Sequence, residues 1–388
     1  MVHKGLFVVL LTLIVMLSGC SQTRHMNSVD ATPIPINKSL YPEEFAANVS
    51  SYASLFTLSP AQYDDIERFI QRPDIAPLAP FLQVQRYLVD TLTDFHYEGQ
   101  SLNAADALML NSGNCMSMAA VSYAVSKALK VPIQFQMVQS EPVLLDVTNN
   151  TMIISDHVRT LLYNAPEDAE FLSPYWGGHQ FVTIDYFPSA TSLAGRLVDA
   201  ATFVAMFYRN LASDALVEGR LEDAYWLVRE GVKWAPEYVP LLNVAAIVHR
   251  RSGDWRSAEA LYQHALEIEP DNLAVLDNYR ALAQLEGNTG LADTLKKRIA
   301  QVEDYRGFDF YVLGHEALQQ GNYNEAEMYF SKLLKNAPYF HPGWFELAKA
   351  QAVQGKFDMA KQALEQALAL SSRSEDSRRY QAKLSSFK

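Results

Sequence analysis

The chain has 388 residues, enough for two or three domains, and 49% of them are hydrophobic, the ordinary share for a soluble globular protein. Its formal charge is −12 and no basic cluster interrupts the acidity, which excludes nucleic acid as a partner class. Two cysteines and scattered histidines offer no ligand spacing of the kinds zinc uses, so neither a metal site nor a cofactor is expected.

The amino terminus reads as a targeting segment over residues 1–19. His3 and Lys4 precede an apolar run from Leu6 to Leu17, which ends in Leu17-Ser18-Gly19-Cys20. A basic start, about a dozen apolar residues and small residues before a cut make a secretory signal, and the run is short of the ~20 residues of a spanning helix. The Leu-Ser-Gly-Cys ending resembles the lipobox of bacterial lipoproteins. That resemblance implies cleavage before Cys20, lipid on its sulfur and an anchor in the cell envelope. With Ser21 next, it implies the outer membrane, facing the periplasm. Cleavage would take the formal charge from −12 to −13, because Lys4 leaves with no acid. Residues 20–44, rich in Ser, Thr, Asn and Pro around Pro33-Ile34-Pro35, read as a flexible tether.

Helical signals follow. Ser59-Pro60 opens one helix as N-cap and N1, with Ile66, Phe69 and Ile70 at apolar spacing; a second runs from about Phe81 to Phe95, ending near His96. Asn103 caps a third, which leads to Gly113-Asn114-Cys115 and an apolar run reaching Leu129. This places Cys115 at a helix N-terminus, where unpaired N–H groups and the helix dipole favour a thiolate. With Cys20 lipidated, Cys115 would be the remaining thiol. Val131-Pro132 ends its helix, and Ile133, Phe135 and Met137 alternate with Gln134 and Gln136 as in a half-buried strand. Thr151 to Tyr163 is a further apolar run holding His157. His179 to Phe187 and Arg196 to Ala200 read as strands carrying His179 and Asp199.

Gly113-Asn114-Cys115, His179-Gln180-Phe181-Val182 and Leu197-Val198-Asp199, in this order, resemble the transglutaminase-like branch of the papain-like cysteine enzymes, over about residues 91–200. The resemblance implies an α+β domain over 45–203, with Cys115 as nucleophile, His179 as general base and Asp199 orienting the imidazole. The chemistry of each residue suits that role: a thiol needs an imidazole to deprotonate it, and the imidazole needs a carboxylate to fix its tautomer. His157 with Asp185 is an alternative pair on two strands. Asp185 cannot serve His179 along one strand, since six residues span roughly 20 Å. Ala200 stands where many members of the family carry Pro after the Asp. The domain is therefore expected either to transfer acyl groups through a Cys115 thioester, to water or to an amine, or to be a catalytically idle scaffold.

Beyond Ala200 the chain is periodic. Gly219, Gly253, Gly287, Gly321 and Gly355 are spaced by 34, and Ala224, Ala258, Ala292, Ala326 and Ala360 each follow five residues later. Pro236, Pro270 and Pro338 keep the same lattice, with Asp304 in the third unit. This resembles the tetratricopeptide repeat. It implies an all-α solenoid of five units over 205–372, a capping helix over 373–388 and a concave groove for a protein or peptide partner. Unit three, with Lys296, Lys297 and Arg298, is expected to be the loosest joint.

Overall fold

The structure is a computed structural model that describes residues 33–97, 100–139, 147–148, 151–152, 157–169, 172–174, 178–186, 193–302, 309–371 and 374–385. Cys20 and the signal segment lie outside the described residues. After a 3₁₀ turn at Glu43–Asn48 come α1 (Tyr52–Phe56), α2 (Pro60–Ile70) and α3 (Pro80–Leu92). Then follow β1 (His96–Tyr97), α4 (Ala104–Leu110), β2 (Ser112–Gly113) and α5 (Cys115–Ala128). The strands β3 (Ile133–Gln139), β4 (Val147–Thr148), β5 (Thr151–Met152), β6 (His157–Tyr163), β7 (Phe181–Ile184) and β8 (Leu193–Val198) complete this region.

Local chemistry accounts for the helix starts. Ser59 and Gln62 close a capping box on α2, and Asn103 caps α4 by accepting from Asp106 N–H at 2.8 Å. His96 is not a helix end. It forms β1, which pairs in parallel with β2, opposite Ser112. The main sheet has the order β7-β6-β3-β8 with every neighbouring pair antiparallel. The order is the decisive topological fact: β8 joins the sheet beside β3, not beside β7.

From Ala200 the chain is helical. Unit one is α6 (Ala200–Val217) and α7 (Leu221–Gly231); unit two is α8 (Val239–Arg251) and α9 (Trp255–Ile268). Units three to five are α10 (Leu273–Leu285) with α11 (Thr289–Gln301), α12 (Asp309–Gln319) with α13 (Tyr323–Asn336), and α14 (His341–Val353) with α15 (Phe357–Leu370). Helix α16 (Ser374–Ser385) closes the array. Each lattice glycine has φ between +72° and +82°, and a Cβ there would meet no atom within 4 Å. The left-handed turn, not space, is what demands glycine. The next residue then donates back across the turn, as Arg220 N–H does to Ala215 C=O at 2.8 Å and Asp254 N–H to His249 C=O at 2.9 Å. The lattice alanines are buried where paired helices touch.

The expected boundary near residue 204 does not divide the molecule. Helix α6 is continuous across it, and its first half belongs to the sheet's core. Phe203 stacks on Phe135 of β3 at 3.8 Å between ring centroids, and Phe207 meets Phe56 edge-on at 5.5 Å. The tether also ends earlier than expected. Asn37 Nδ2 donates to Asp254 Oδ2 at 2.8 Å, and the Tyr41 and Ser252 hydroxyls are 2.7 Å apart. Asn37 C=O accepts from the Tyr225 hydroxyl at 2.8 Å. Residues 37–41 are thus docked on units one and two. In unit three the basic residues tie the array together: Lys296 pairs with Glu325 of unit four at 2.9 Å, and Arg298 donates to Pro270 C=O.

Candidate functional site

Cys115 begins α5 on a doubly braced cap. Asn114 Oδ1 accepts from the N–H groups of Met116 and Ser117 at 3.0 and 3.1 Å, and Asn114 N–H donates to Ser117 Oγ at 3.3 Å. Gly113 enters this turn at φ +141°, and a Cβ there would lie 2.6 Å from the Ser117 side chain. Only glycine fits. Leu102 N–H also donates to Ser117 Oγ, at 2.8 Å, and Asn114 Nδ2 donates to Ser101 Oγ at 2.9 Å. Residues 101–102 therefore hold the cap from outside. Cys115 itself is 3% exposed.

Two tyrosines lie within electrostatic reach of the thiol. Tyr97, across from Gly113 on β1, is pushed up by burial and then by Cys115. Burial also pushes the Tyr186 phenol up; its hydrogen bonds to Ser122 and Thr160 offset this, while Cys115 and Asp185 add to it. The Tyr186 hydroxyl lies 2.6 Å from Ser122 Oγ on α5 and 2.6 Å from Thr160 Oγ1 on β6.

That hydroxyl sets a common level for the two layers. The turn after α5 reverses the chain into β3, and β6 is antiparallel to β3, so α5 and β6 run the same way. From Ser122 back to Cys115 is seven residues of helix, about 10 Å. From Thr160 back to His157 is three residues of strand, also about 10 Å. Cys115 and the backbone of His157 thus share one end of the helix–sheet layer. Asp185 follows Ile184, which pairs with Thr160, so it extends toward that same end on the neighbouring strand.

His179 and Asp199 lie along the strands away from the end of the layer at which α5 begins. His179 lies five residues from Ile184 in the opposite direction, about 16 Å further from the thiol when extended. It sits at the far end of the sheet, where Gln180 C=O accepts from Asn164 N–H at 2.8 Å. Asp199 follows Val198, which pairs with Phe135 in the row of Thr160. That puts it two strands from β6, about 10 Å across the sheet. Its carboxylate accepts from Thr202 N–H at 2.7 Å and caps α6. The pairing of a third carboxylate-bearing strand beside the histidine strand fails because β8 takes the opposite side of β3.

A second feature belongs to the array. A cavity of about 170 Å³ between units three and four is lined by Arg280, Lys296, Glu316, Glu325 and Tyr329 among others. Arg280 Nε donates to Asp277 Oδ1 at 2.9 Å and its guanidinium lies 3.6 Å from Glu316. Burial and the Asp277 charge push the Glu316 carboxyl up to about 7, with Arg280 opposing. Glu316 stands on the lattice position of Val248, Leu282 and Ala350, which are core residues in other units. The sequence reading did not identify it; the departure from an apolar lattice position was the available signal. Among the described residues no group of three His, Cys, Asp or Glu side chains could hold a metal ion.

Residues 241–275 and 317–384 each match a family model described as tetratricopeptide repeat. No curated protein matches the chain. Among solved structures, PilF of Pseudomonas aeruginosa is similar over 49% of this chain and 90% of its own, at 19% identity and a TM-score of 0.33. PilW, described as a widely conserved type IV pilus biogenesis factor, is similar over 47% and 93%, at 18% identity and 0.29. YrrB, described as a TPR protein with an unusual peptide-binding site, is similar over 46% and 92%, at 14% identity and 0.28. The two matched segments, with the 34-residue glycine–alanine lattice and its paired helices, make the chain from Ala200 onward a tetratricopeptide-repeat array behind an α+β region with a small antiparallel sheet.

Proposed function

We propose that this is an envelope-anchored repeat protein that recruits a protein partner through its array and carries a thiol acyl-transfer site of the transglutaminase-like kind. The observation that carries the reading is Cys115 on the braced N-terminus of α5, at the end of the layer where the backbone of β6 begins. His157 takes the thiol proton, and the thiolate attacks the carbonyl carbon of an amide. The imidazolium returns that proton to the amine as the C–N bond breaks, leaving a Cys115 thioester that water or a second amine resolves. Asp185, on the adjacent strand, orients the imidazole. The tetrahedral oxyanion falls at the start of α5, where the helix dipole and backbone N–H groups favour negative charge. The partner binds the array, with the polar cavity of units three and four as a recess for one of its side chains.

A catalytically idle scaffold is the second reading, favoured by the 3% exposure of Cys115. Alkylation by iodoacetamide at pH 6, followed on the Cys115 peptide of the full chain by mass spectrometry, separates the two. Expected is a rate above that of a free thiol, falling roughly tenfold or more in His157→Ala and unchanged in His179→Ala. A rate no faster than a model thiol, indifferent to His157, leaves the scaffold; a fall in His179→Ala alone restores His179 as base. The anchor is read in cells expressing the full chain. Labelled fatty acid enters the wild-type chain and not Cys20→Ala, and label persisting in that variant refutes the anchor.

A further inference from the structure

Asn37 is met at every polar group it owns. Its N–H donates to His249 Nε2 at 3.3 Å, its C=O accepts from the Tyr225 hydroxyl at 2.8 Å, and its Nδ2 donates to Asp254 Oδ2 at 2.8 Å. Its Oδ1 accepts from Ser39 N–H at 3.1 Å. Four residues on, the Tyr41 ring meets Tyr225 edge-on at 5.4 Å, and its hydroxyl lies 2.7 Å from Ser252 Oγ. We infer that residues 37–41 are a strap over units one and two, latched by neutral His249 and let go when that imidazole takes a proton. The latch stands whether or not Cys115 is an active thiol.

The repeat lattice singles out the latch residues. His249 stands at the position of Ala215, Ala283 and Ala317 in units one, three and four, all small and buried. Tyr225 stands at the position of Glu259, Asp293, Glu327 and Lys361, charged residues on exposed or half-buried sites. Yet His249 and Tyr225 are each 1% exposed. Burying an imidazole nitrogen and a phenol costs stability unless each finds a partner, and both find theirs on Asn37. A solenoid packing only against itself needs neither residue there.

The direction of the hydrogen bonds makes the latch proton-sensitive. His249 Nδ1 lies 2.8 Å from Ala245 C=O, so the neutral ring carries its proton there and offers Nε2 as an acceptor to Asn37 N–H. A second proton makes both ring nitrogens donors, and Nε2–H then opposes Asn37 N–H. Asp254 offers no escape, because its Oδ2 already accepts from Asn37 Nδ2 and its Oδ1 from Ser257 N–H at 3.3 Å. An imidazolium that takes that carboxylate takes it from Asn37. Facing the ring are Tyr225 from α7, 5.9 Å away between ring centroids, and Asp254 from the turn into α9, with Arg229 beyond Tyr225. Asp254 is the charged group that acts on the ring among the described residues, and none acts from α6 or α10, which also pack on α8. Burial pushes the imidazole below its ordinary 6.5, with the Ala245 bond and Asp254 opposing. The latch is therefore complete above about 6.5 and is lost as pH falls from there through the lower value of the strapped ring.

The test follows hydrogen exchange of a peptide covering residues 35–45 in the full chain between about pH 5 and 8, with a peptide of α15 as internal control. Each rate is divided by the chemical exchange rate at that pH. In the wild type, protection of 35–45 should fall roughly three- to tenfold from about pH 7.5 to 5, with α15 unchanged. His249→Gln keeps an acceptor and His249→Phe fills the site without one, but neither takes the proton. Protection in both should therefore be independent of pH, whatever its level. Asn37→Asp sets a carboxylate against Asp254 and should exchange roughly tenfold or more faster than wild type at about pH 7.5, which marks the open strap. Flat wild-type protection overturns the latch, as does a slope that persists in both His249 variants or a fall that α15 shares. A wild-type rate equal to that of Asn37→Asp at about pH 7.5 means an undocked strap and overturns it equally.

Discussion

Asp199 shows how one residue type serves two readings. An Asp after a short strand resembles the orienting carboxylate of a cysteine enzyme. An Asp before Ala200-Ala201-Thr202 is also a helix N-cap, and the 2.7 Å bond from Thr202 N–H makes it one. Both signals stood in the sequence, and the local one prevails because it needs no partner strand. Asp199→Ala should therefore cost about 1 kcal/mol of stability in urea titrations and leave Cys115 alkylation unaltered. A tenfold loss of alkylation in a stably folded variant would return Asp199 to the site. Cys115 was legible for the same local reason, since Gly-Asn before an apolar run announces a capped helix. The brace from Ser101, fourteen residues upstream of Cys115, has no local signature.

Elements were legible where their periods are strong, and their arrangement was not. The Asn103 and Ser59 caps, the strand after Pro132 and the repeat helices all follow from spacing along the chain. Chain order suggests that successive strands are neighbours, yet β8 crosses to β3 and leaves β7 at the other edge. That choice is made by side-chain packing on α6, whose Phe203 stacks on Phe135, and no periodicity encodes it. In the array, the acid at a core position gives α12 a pH dependence. Glu316 titrates near 7 in the fold and near its ordinary 4.5 when unfolded, so folding binds a proton between those values. The contribution is fully present below about 4.5 and lost as pH rises through 7. Between pH 5 and 8 the wild type should lose roughly 1–3 kcal/mol more stability than Glu316→Gln, by denaturant titration at each pH. Parallel losses in the two proteins would mean that Glu316 is ionised throughout.

The whole molecule is less divisible than its sequence. A 34-residue lattice invites cutting near Thr202, and the repeats beyond should then fold alone, because each contacts only its neighbours. The first unit is the exception. Phe203 and Phe207 are fully buried, against Phe56 and Phe135 of the region a cut removes. Residues 37–41 are removed with it, and they tie Tyr225 of unit one to Ser252 and Asp254 of unit two. The Asn37 N–H also donates to His249 Nε2 at 3.3 Å. Emptying one large aromatic site costs about 3–5 kcal/mol, and a fragment from Thr202 to Lys388 empties two. Stacking energy from α8 alone does not replace that, whereas units three to five keep all their neighbours. Hydrogen exchange should find α10, α13 and α15 as protected in the fragment as in the full chain, with α6 exchanging freely and α7 partly. If α6 stays protected in the fragment, its fold is intrinsic to the repeat, and its packing on Phe56 and Phe135 is not what holds it.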